Sequence, residues 1–312
     1  MKARGFWTVA PGRGELREET LTGEGLALRV LASGISRGTE ALVFAGRVPE
    51  SQHDAMRAPL MGGAFPFPVK YGYNAVGAAA DGRRFFALAP HQDRIVVPPH
   101  LAVPVPDDVP THRAVLGANM ETALNIAWDA RALPGERIAV VGAGVVGLLA
   151  ASLLARLPGA AVTVIDLDPA RVPLAARFGC AFALPDAAPR EQELIVHATG
   201  RAEGLRLALG LAAFEARIVE ASWFGTAEVA LPLGEAFHSR RLSLLSTQVS
   251  AVSPAMRGRR THAERLGLAL SLLADPRYDA LLGGPTRFED LPARMPAILA
   301  APGPLCHVVT YD

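Results

Sequence analysis

Residues 138–147 read Ile-Ala-Val-Val-Gly-Ala-Gly-Val-Val-Gly, and this stretch decides how the chain folds. An apolar run that predicts a buried strand ends at Val141, and the G-x-G-x-x-G sequence from Gly142 to Gly147 then opens an apolar helix. A second predicted strand, Ala161 to Ile165, ends directly before Asp166, 24 residues after Gly142. The spacing is near the roughly 20 residues of a dinucleotide-binding βαβ unit, so we predict a dinucleotide site here.

Each glycine of this loop has a physical role in such a site. Gly142 permits the tight turn, Gly144 lets a pyrophosphate approach the backbone, and Gly147 lets the helix pack closely on the strand. The N–H groups at the start of the helix, including those of Val145 and Val146, then face the anion and are favoured by the helix dipole. A structural βαβ turn with a surface aspartate is the alternative interpretation.

Asp166 predicts the choice of dinucleotide. Its carboxylate can accept both ribose hydroxyls of NAD and would repel the 2′-phosphate of NADP, and Leu167 directly after it belongs to the same predicted adenosine site. Asp168 is a rival for the ribose contact, but before Pro169 it has the pattern of a helix N-cap. Arg171 lies close enough to accept a phosphate, so NADP remains the less favoured alternative.

Strands and helices alternate through the middle of the chain, which predicts an α/β fold with a doubly wound parallel sheet. Thr199 and Ser222 follow two of these strands at their carboxyl ends, where ligands bind in open α/β sheets, and we include them in the predicted cofactor site. The predicted strands are Arg137–Val141, Ala161–Ile165, Leu194–Ala198, Arg217–Ala221 and Leu242–Ser246, and the predicted helices are Arg113–Trp128, Val145–Leu157, Pro169–Phe178, Ala202–Ala212 and His262–Ala274.

The first part of the chain, to about Asn119, is rich in glycine and proline and predicts a β-rich domain. Met56 to Lys70 contains too many prolines and glycines for a helix and predicts a long ordered loop. The predicted strands are Leu26–Leu31, Asn74–Ala79, Phe85–Ala89 and Arg94–Val97, with a last strand at Cys306–Thr310.

Composition excludes several classes of function. The 31 basic and 30 acidic side chains balance, so there is no electrostatic reason to expect nucleic acid or an anionic membrane as partner. Cys180 and Cys306 are the two cysteines, and their spacing matches neither a metal site nor a disulfide scaffold. The segment Met1 to Ala10 has no apolar signal region, so we expect a cytoplasmic protein. We expect a small-molecule substrate as its partner.

Three motifs together resemble the medium-chain dehydrogenase/reductase superfamily over nearly the whole chain. They are Ser33 to Glu40 (SGISRGTE), Tyr71 to Gly77 (YGYNAVG), and Gly142 to Gly147 with Asp166. The first is most similar to the branch that contains 2-desacetyl-2-hydroxyethyl bacteriochlorophyllide dehydrogenase. The resemblance implies a GroES-like β domain formed by both chain ends, residues 1–119 and 249–312, and a central Rossmann domain, residues 120–248. It also implies a homodimer joined through the sheet edge near Leu242 to Gln248.

The sequence departs from this family where zinc is bound. Zinc members have cysteine where Ser36 stands, histidine where Tyr73 stands, and a second cysteine near Ala118. Zinc needs three or four nitrogen, sulfur or carboxylate donors, and the four-cysteine structural lobe is also missing. We therefore expect a zinc-lacking member, with a site built from His53, His91 and a carboxylate as the alternative.

Without zinc, another group must polarise a carbonyl or stabilise an alkoxide. The candidates are Tyr73, which occupies the place of the metal-binding histidine, His91, and Glu121 in the segment that closes the family's substrate site. Each has a packing or ion-pairing alternative. The resemblance further implies that Arg37 contacts the pyrophosphate and Thr122 the nicotinamide.

These observations predict a zinc-independent oxidoreductase that transfers a hydride between NAD(H) and an alcohol or carbonyl substrate, with bulky alcohols among the candidates. A second enzymatic interpretation is reduction of an enone or quinone, and a third is an NAD-binding protein without catalysis.

Overall fold

A computed structural model describes residues 1–301 and 305–312, which form two compact units. The first comprises Met1–Ala118 with Leu266–Asp312, and the second comprises Asn119–Arg265. The first boundary lies within one residue of the sequence-based one, whereas the second follows Arg265 instead of residue 248. The Arg265 guanidinium donates to the carbonyl oxygens of Val249 and Ala251, at 2.5 and 3.1 Å, and so ties this segment to the second unit.

Seventeen strands and eight α-helices are defined in the described residues. The strands are β1 (Lys2–Ala10), β2 (Arg13–Thr20), β3 (Leu26–Ile35), β4 (Gly62–Gly63), β5 (Val69–Lys70), β6 (Ala75–Ala78), β7 (Arg84–Ala87), β8 (Arg94–Val97), β9 (Val103–Pro104), β10 (Arg137–Val141), β11 (Ala161–Ile165), β12 (Ala181–Ala183), β13 (Gln192–His197), β14 (Ala212–Glu220), β15 (Ser243–Ser246), β16 (Leu282–Arg287) and β17 (Cys306–Thr310). The helices are α1 (Arg37–Phe44), α2 (Thr111–Ala114), α3 (Gly117–Ala130), α4 (Val145–Leu154), α5 (Val172–Arg177), α6 (Ala202–Leu211), α7 (His262–Leu272) and α8 (Leu291–Ala300).

The second unit contains one parallel six-stranded sheet in the order β12-β11-β10-β13-β14-β15. The order reverses at β10, the strand that precedes the glycine-rich loop, because the chain first adds strands on one side of β10 and then on the other. This is the arrangement of a dinucleotide-binding α/β sheet, whose ligands bind at the carboxyl edge beside the reversal. The structure confirms the predicted α/β class with its parallel sheet.

Apolar residues on both faces explain why the middle strands are buried. Strand β10 shows no polar residue after Arg137, and its positions from Ile138 to Val141 are all buried. Helix α6 packs on one face of the sheet through Leu205 and Leu209, which belong to the same apolar cluster as Ile195. Each such leucine contributes about 1.5–3 kcal/mol when it is fully buried.

The first unit contains two further sheets. One has the order β2-β1-β5-β4, and the other has the order β16-β17-β3-β6-β7-β9, with β8 paired to β3. Strand β17 pairs antiparallel with β3, His307 lying opposite Ile35, so the last strand completes a sheet that begins near the N-terminus. Both chain ends thus contribute to this β-rich unit.

Several elements were not predicted from the sequence, for identifiable reasons. Strand β2 is rich in charged residues and half-exposed, so it lacks an apolar signal, and β16 contains two glycines and a proline. Helix α8 contains Pro296 in its interior, a residue that removes a backbone N–H and normally ends a helix. The predicted loop from Met56 to Lys70 includes the two-residue strands β4 and β5.

Candidate functional site

The glycine-rich loop adopts the geometry that its sequence predicts. Gly142 has φ +111°, a conformation that side chains disfavour, and its N–H donates to the Ile165 carbonyl at 2.8 Å. A Cβ on Gly147 would lie 2.0 Å from the Gly142 carbonyl oxygen, whereas a Cβ on Gly144 would meet nothing within 4 Å. Gly144 is the exposed N-cap of α4 and has no side chain to accept from the first turn. The N–H groups of Val145, Val146 and Gly147 therefore fit an anion.

Asp166 lies directly after β11 and is tied to this loop. Its Oδ2 accepts from the Ala143 N–H at 2.6 Å, and its Oδ1 accepts from the Asp168 N–H at 2.9 Å. The half-buried carboxylate is thus held at the carboxyl end of the strand, while Leu167 beside it is 82% exposed. This is the position from which a carboxylate binds the adenosine ribose of a dinucleotide.

Asp168 has the structural role that its sequence context predicts. Its Oδ1 accepts from the Ala170 N–H at 2.9 Å as the N-cap of a short 3₁₀ turn that begins with Pro169. The same carboxylate lies 3.2 Å from the Arg171 Nε. The cap confirms the prediction for Asp168. The ion pair partly neutralises the charge of Arg171, the arginine that the sequence offers as a partner for a 2′-phosphate.

The remaining predicted residues of the second unit lie at two places. Thr199 and Ser222 follow β13 and β14 at the carboxyl edge of the sheet, and the Gly200 N–H donates to the Ser222 Oγ at 3.0 Å. Thr122 lies half-buried on α3. The structure therefore places Thr199 and Ser222 on the same sheet edge as the glycine-rich loop.

Glu121, a predicted proton-transfer residue, is buried in an ion pair. Its Oε1 accepts from the Arg265 Nε at 3.0 Å, and the Arg265 side chain, 1% exposed, also donates to the Asn125 Oδ1 at 2.6 Å. Burial raises the pKa of the Glu121 carboxyl above its usual value, against the opposing effect of Arg265. These contacts assign Glu121 to the anchoring of the Arg265 segment.

In the first unit, Tyr73 keeps its proton over the physiological range. Removal from water raises the pKa of its hydroxyl to about 12, while contacts with the Ser36 and Thr39 side chains act in the opposite direction. The half-buried phenol is therefore a neutral hydrogen-bond donor. Its ring packs edge-on against Tyr71, with centroids 6.0 Å apart.

His91 belongs to a buried chain of hydrogen bonds that we call the His91 network. Its Nδ1 lies 2.7 Å from the Ser33 Oγ, which is 2.7 Å from the Tyr311 hydroxyl, and its Nε2 lies 2.9 Å from a Glu40 oxygen. The other Glu40 oxygen accepts from the Ser36 N–H at 2.7 Å. His91 is 1% exposed, so this geometry holds Glu40 and Ser36 in place, and the Ser36 side chain contacts Tyr73.

Arg37 is the first residue of α1, and its Nη2 donates to the Leu299 carbonyl at 3.3 Å. Lys70 is buried, donates to the Glu19 carboxylate, and donates to the Gln92 Oε1 at 2.6 Å. Both cations therefore have partners within the first unit. Lys70 is an ion-pairing residue, because its ammonium group contacts the Glu19 carboxylate.

The residues at the positions where the resemblance implies zinc ligands do not fit that metal. Ser36 and Tyr73 offer neutral hydroxyls, and the buried Ala118 offers no donor, whereas zinc takes thiolate, imidazole or carboxylate ligands. His53 contacts the Val48 carbonyl at 3.2 Å, and His91 is occupied by Ser33 and Glu40. Within residues 1–301 and 305–312, no three His, Cys, Asp or Glu side chains are grouped to hold a metal ion.

Sequence reasoning missed the partners that hold these residues. Three partners lie far along the chain from the residues that they contact. Glu220 contacts His197. Arg265 contacts Glu121, and Tyr311 contacts Ser33. A signal was available for Glu220 alone, since this charged residue ends the apolar strand β14 and His197 ends the neighbouring strand β13.

No helix in the described part of the chain has the length and hydropathy needed to cross a membrane.

The chain matches no family model, but it is similar to known proteins in sequence. It is 36% identical to an L-threonine 3-dehydrogenase of Mesorhizobium japonicum over 120 residues, 37% of this chain and 33% of the relative. It is 26% identical to a zinc-type alcohol dehydrogenase-like protein of Haemophilus influenzae over 216 residues, 65% of this chain and 59% of the relative. The matched segments thus span between one third and three fifths of these relatives.

Solved structures match the whole chain. The L-idonate 5-dehydrogenase of Escherichia coli K-12 superposes with a TM-score of 0.81 at 14% identity, covering 99% of this chain and 98% of that one. A short chain alcohol dehydrogenase of E. coli CFT073 complexed with NADH gives 0.79 at 16% identity, with 99% of each chain covered. A protein of Sinorhizobium meliloti 1021 bound to NADP gives 0.79 at 17% identity, again with 99% of each chain covered. The chain therefore has the fold of these solved dehydrogenases and is similar in sequence, over part of its length, to an L-threonine 3-dehydrogenase and to a zinc-type alcohol dehydrogenase-like protein.

Proposed function

We propose that this chain is an NAD(H)-dependent, zinc-independent oxidoreductase that interconverts an alcohol and a carbonyl compound. One observation carries the proposal: Asp166 and the Gly142–Gly147 loop are hydrogen-bonded together beside the strand-order reversal of a parallel sheet. A charged carboxylate and a row of first-turn N–H groups suit a ribose and a pyrophosphate at adjacent positions.

The same residues favour NAD over NADP. The Asp166 carboxylate is fixed by two backbone N–H groups, so it cannot easily turn away from a 2′-phosphate. Arg171 is paired with Asp168 and so has part of its charge neutralised. Repulsion at Asp166 is therefore not offset by a free arginine at that position.

When bound, the nicotinamide supplies the hydride acceptor or donor. The chain's own residues then bind the cofactor, orient the substrate and handle one proton. We assign the hydrogen bond to the substrate oxygen to Tyr73, because its pKa of about 12 keeps the hydroxyl protonated. The His91 network supports the Ser36 backbone beside it, through Glu40.

A turnover assay separates this proposal from its alternatives. The purified protein is incubated with NAD and a panel of secondary alcohols that includes L-threonine and L-idonate, and NADH formation is followed by absorbance before and after dialysis against a chelator. We expect turnover of at least one alcohol, unchanged by the chelator, and substoichiometric zinc by elemental analysis. Activity that disappears on chelation and returns with zinc would overturn the zinc-independent assignment. In a parallel assay, NADH and a panel of enones replace NAD and the alcohols, and NADH consumption is followed. Turnover of enones alone would favour the quinone-type reductase.

Tyr73→Phe tests this hydrogen-bond donor within the same assay. Removing the hydroxyl is expected to lower turnover by about 10²–10³-fold, the usual range for loss of one donor to a developing oxyanion. NADH affinity should stay within about twofold, because Tyr73 is assigned no cofactor contact. Full activity in this variant would transfer the role to another group.

A further inference from the structure

His197 is a buried histidine whose ring nitrogens both have partners. It is the last residue of β13, fully excluded from solvent, and lies opposite Val141 of β10 on one side and Glu220 of β14 on the other. Phe224 stacks on its ring, with centroids 6.2 Å apart and planes 16° apart. The imidazole therefore has one well-defined orientation.

Its contacts connect two loops of the sheet edge. The Nδ1 lies 2.7 Å from a Glu220 oxygen, and the Nε2 lies 2.6 Å from the Thr199 Oγ1. The other Glu220 oxygen accepts from the Ser222 N–H at 2.7 Å, and the Ser222 Oγ accepts from the Gly200 N–H at 3.0 Å. These bonds form a closed ring through the loop that follows β13 and the loop that follows β14.

The chemistry of the contacts places one hydrogen of the His197 ring. A carboxylate accepts but does not donate, so the Nδ1 of His197 carries a hydrogen toward Glu220. The Thr199 hydroxyl accepts from the Arg201 N–H at 3.0 Å, and it can also accept from or donate to the Nε2. The Thr199 side chain is therefore held whether the imidazole is neutral or charged.

Two glycines leave space for this pair. A Cβ on Gly204 of α6 would lie 2.5 Å from the Thr199 Oγ1 and 2.6 Å from the His197 Nε2. A Cβ on Gly142 would lie 3.0 Å from the Thr199 Cγ2. The turn that His197 holds thus lies against the first glycine of the dinucleotide loop.

We propose that His197 and Glu220 are positioning residues that fix Thr199, Gly200 and Ser222 to receive the nicotinamide half of the dinucleotide. The inference rests on the proposed function. Asp166 follows β11 on one side of β10 and takes the adenosine half, so a dinucleotide that spans the strand-order reversal extends its other half over β13 and β14. Thr199 and Ser222 present the hydroxyls and backbone groups on that side.

Two ligands that differ in the nicotinamide test the pair. Dissociation constants for NADH and for ADP-ribose, which lacks the nicotinamide, are measured calorimetrically on the wild type, His197→Asn and Glu220→Gln. We expect NADH affinity to fall about tenfold in both variants, the scale of one lost hydrogen bond, with ADP-ribose affinity within twofold of the wild type. His307→Asn is the matched control, because this buried histidine also bonds a threonine, Thr286, through its Nε2 at 2.8 Å but lies in the first unit.

The outcomes separate the inference from the function beneath it. Equal losses for NADH and ADP-ribose, or no loss for either, would overturn the positioning role while leaving dinucleotide binding intact. A wild type that binds neither ligand would overturn the proposed function and this inference together. Glu220→Gln keeps the shape of the side chain, so it provides the measurement if His197→Asn does not fold.

Discussion

At the scale of single residues, Asp166 combines two tasks. Its carboxylate holds the glycine-rich loop through the Ala143 N–H, and its charge is proposed to select the cofactor. A substitution to alanine would remove both at once. Asparagine keeps an oxygen that can accept from the Ala143 N–H while removing the charge, so it isolates the electrostatic part.

We therefore predict that Asp166→Asn weakens NAD binding by about 1.5–3 kcal/mol, the scale of a hydrogen bond to a charged group. NADP affinity should stay level or improve, because repulsion of the 2′-phosphate is relieved. Titration of both cofactors against both variants measures this, with Asp168→Asn as the control, since asparagine also caps helices. A change of cofactor preference in Asp168→Asn and not in Asp166→Asn would mean that the ribose contacts Asp168 instead of Asp166.

At the scale of elements, the turn between β10 and α4 contains two glycines, three positions apart, with different roles: Gly147 serves packing and Gly144 serves binding. Gly147 is required for packing, because its Cβ would overlap the Gly142 carbonyl oxygen at 2.0 Å. Gly144 faces open space and is required, in a dinucleotide site, for the approach of the pyrophosphate. Substitution by alanine should therefore affect mainly stability at Gly147 and mainly cofactor binding at Gly144.

We predict that Gly147→Ala lowers the free energy of unfolding by about 1–3 kcal/mol, the usual cost of overpacking. Gly144→Ala should leave that free energy within about 0.5 kcal/mol, as for a surface substitution, and should weaken NADH binding at least about tenfold. Urea denaturation and NADH titration of each variant measure the two effects. Undiminished NADH binding by Gly144→Ala would argue against a pyrophosphate at this loop.

At the scale of the whole molecule, β15 ends the parallel sheet with an uncovered edge. All four of its residues are exposed, including Leu244 at 37% and Leu245 at 40%. An open edge strand with apolar side chains favours pairing with another chain. A homodimer joined through this edge is the assembly that we propose.

We predict a dimer at micromolar concentration by sedimentation velocity. Replacing Leu244 and Leu245 together by lysine should shift the protein to monomer, because lysines on an edge strand oppose pairing. Leu268→Lys is the control, since Leu268 is 38% exposed on α7 in the first unit. A wild-type protein that sediments as a monomer, or a lysine variant that remains dimeric, would exclude this edge as the interface.

The sequence by itself determined the α/β class, the parallel sheet and the glycine-rich loop. The βαβ unit could be predicted because its signals are local: an apolar run, three glycines at set spacing and an aspartate at the end of the next strand. Strands β10 and β11 have the bounds that the periodicity predicts. Asp168 capped its turn as expected, since capping depends on residues only two positions apart.

The tertiary structure alone decided which polar groups meet. Glu40 and His91 are 51 residues apart, His197 and Glu220 are 23 apart, and Glu121 and Arg265 are 144 apart, yet each pair is in hydrogen-bond contact. Such pairs depend on strand register and on the packing of distant elements, which no local pattern encodes. Helix α8 forms in spite of Pro296 for a related reason, because its buried residues Leu291, Met295 and Ile298 pack against Phe6 and Val309. Burial of these side chains outweighs the local cost of the proline, and that balance is set by the fold and not by the helix itself.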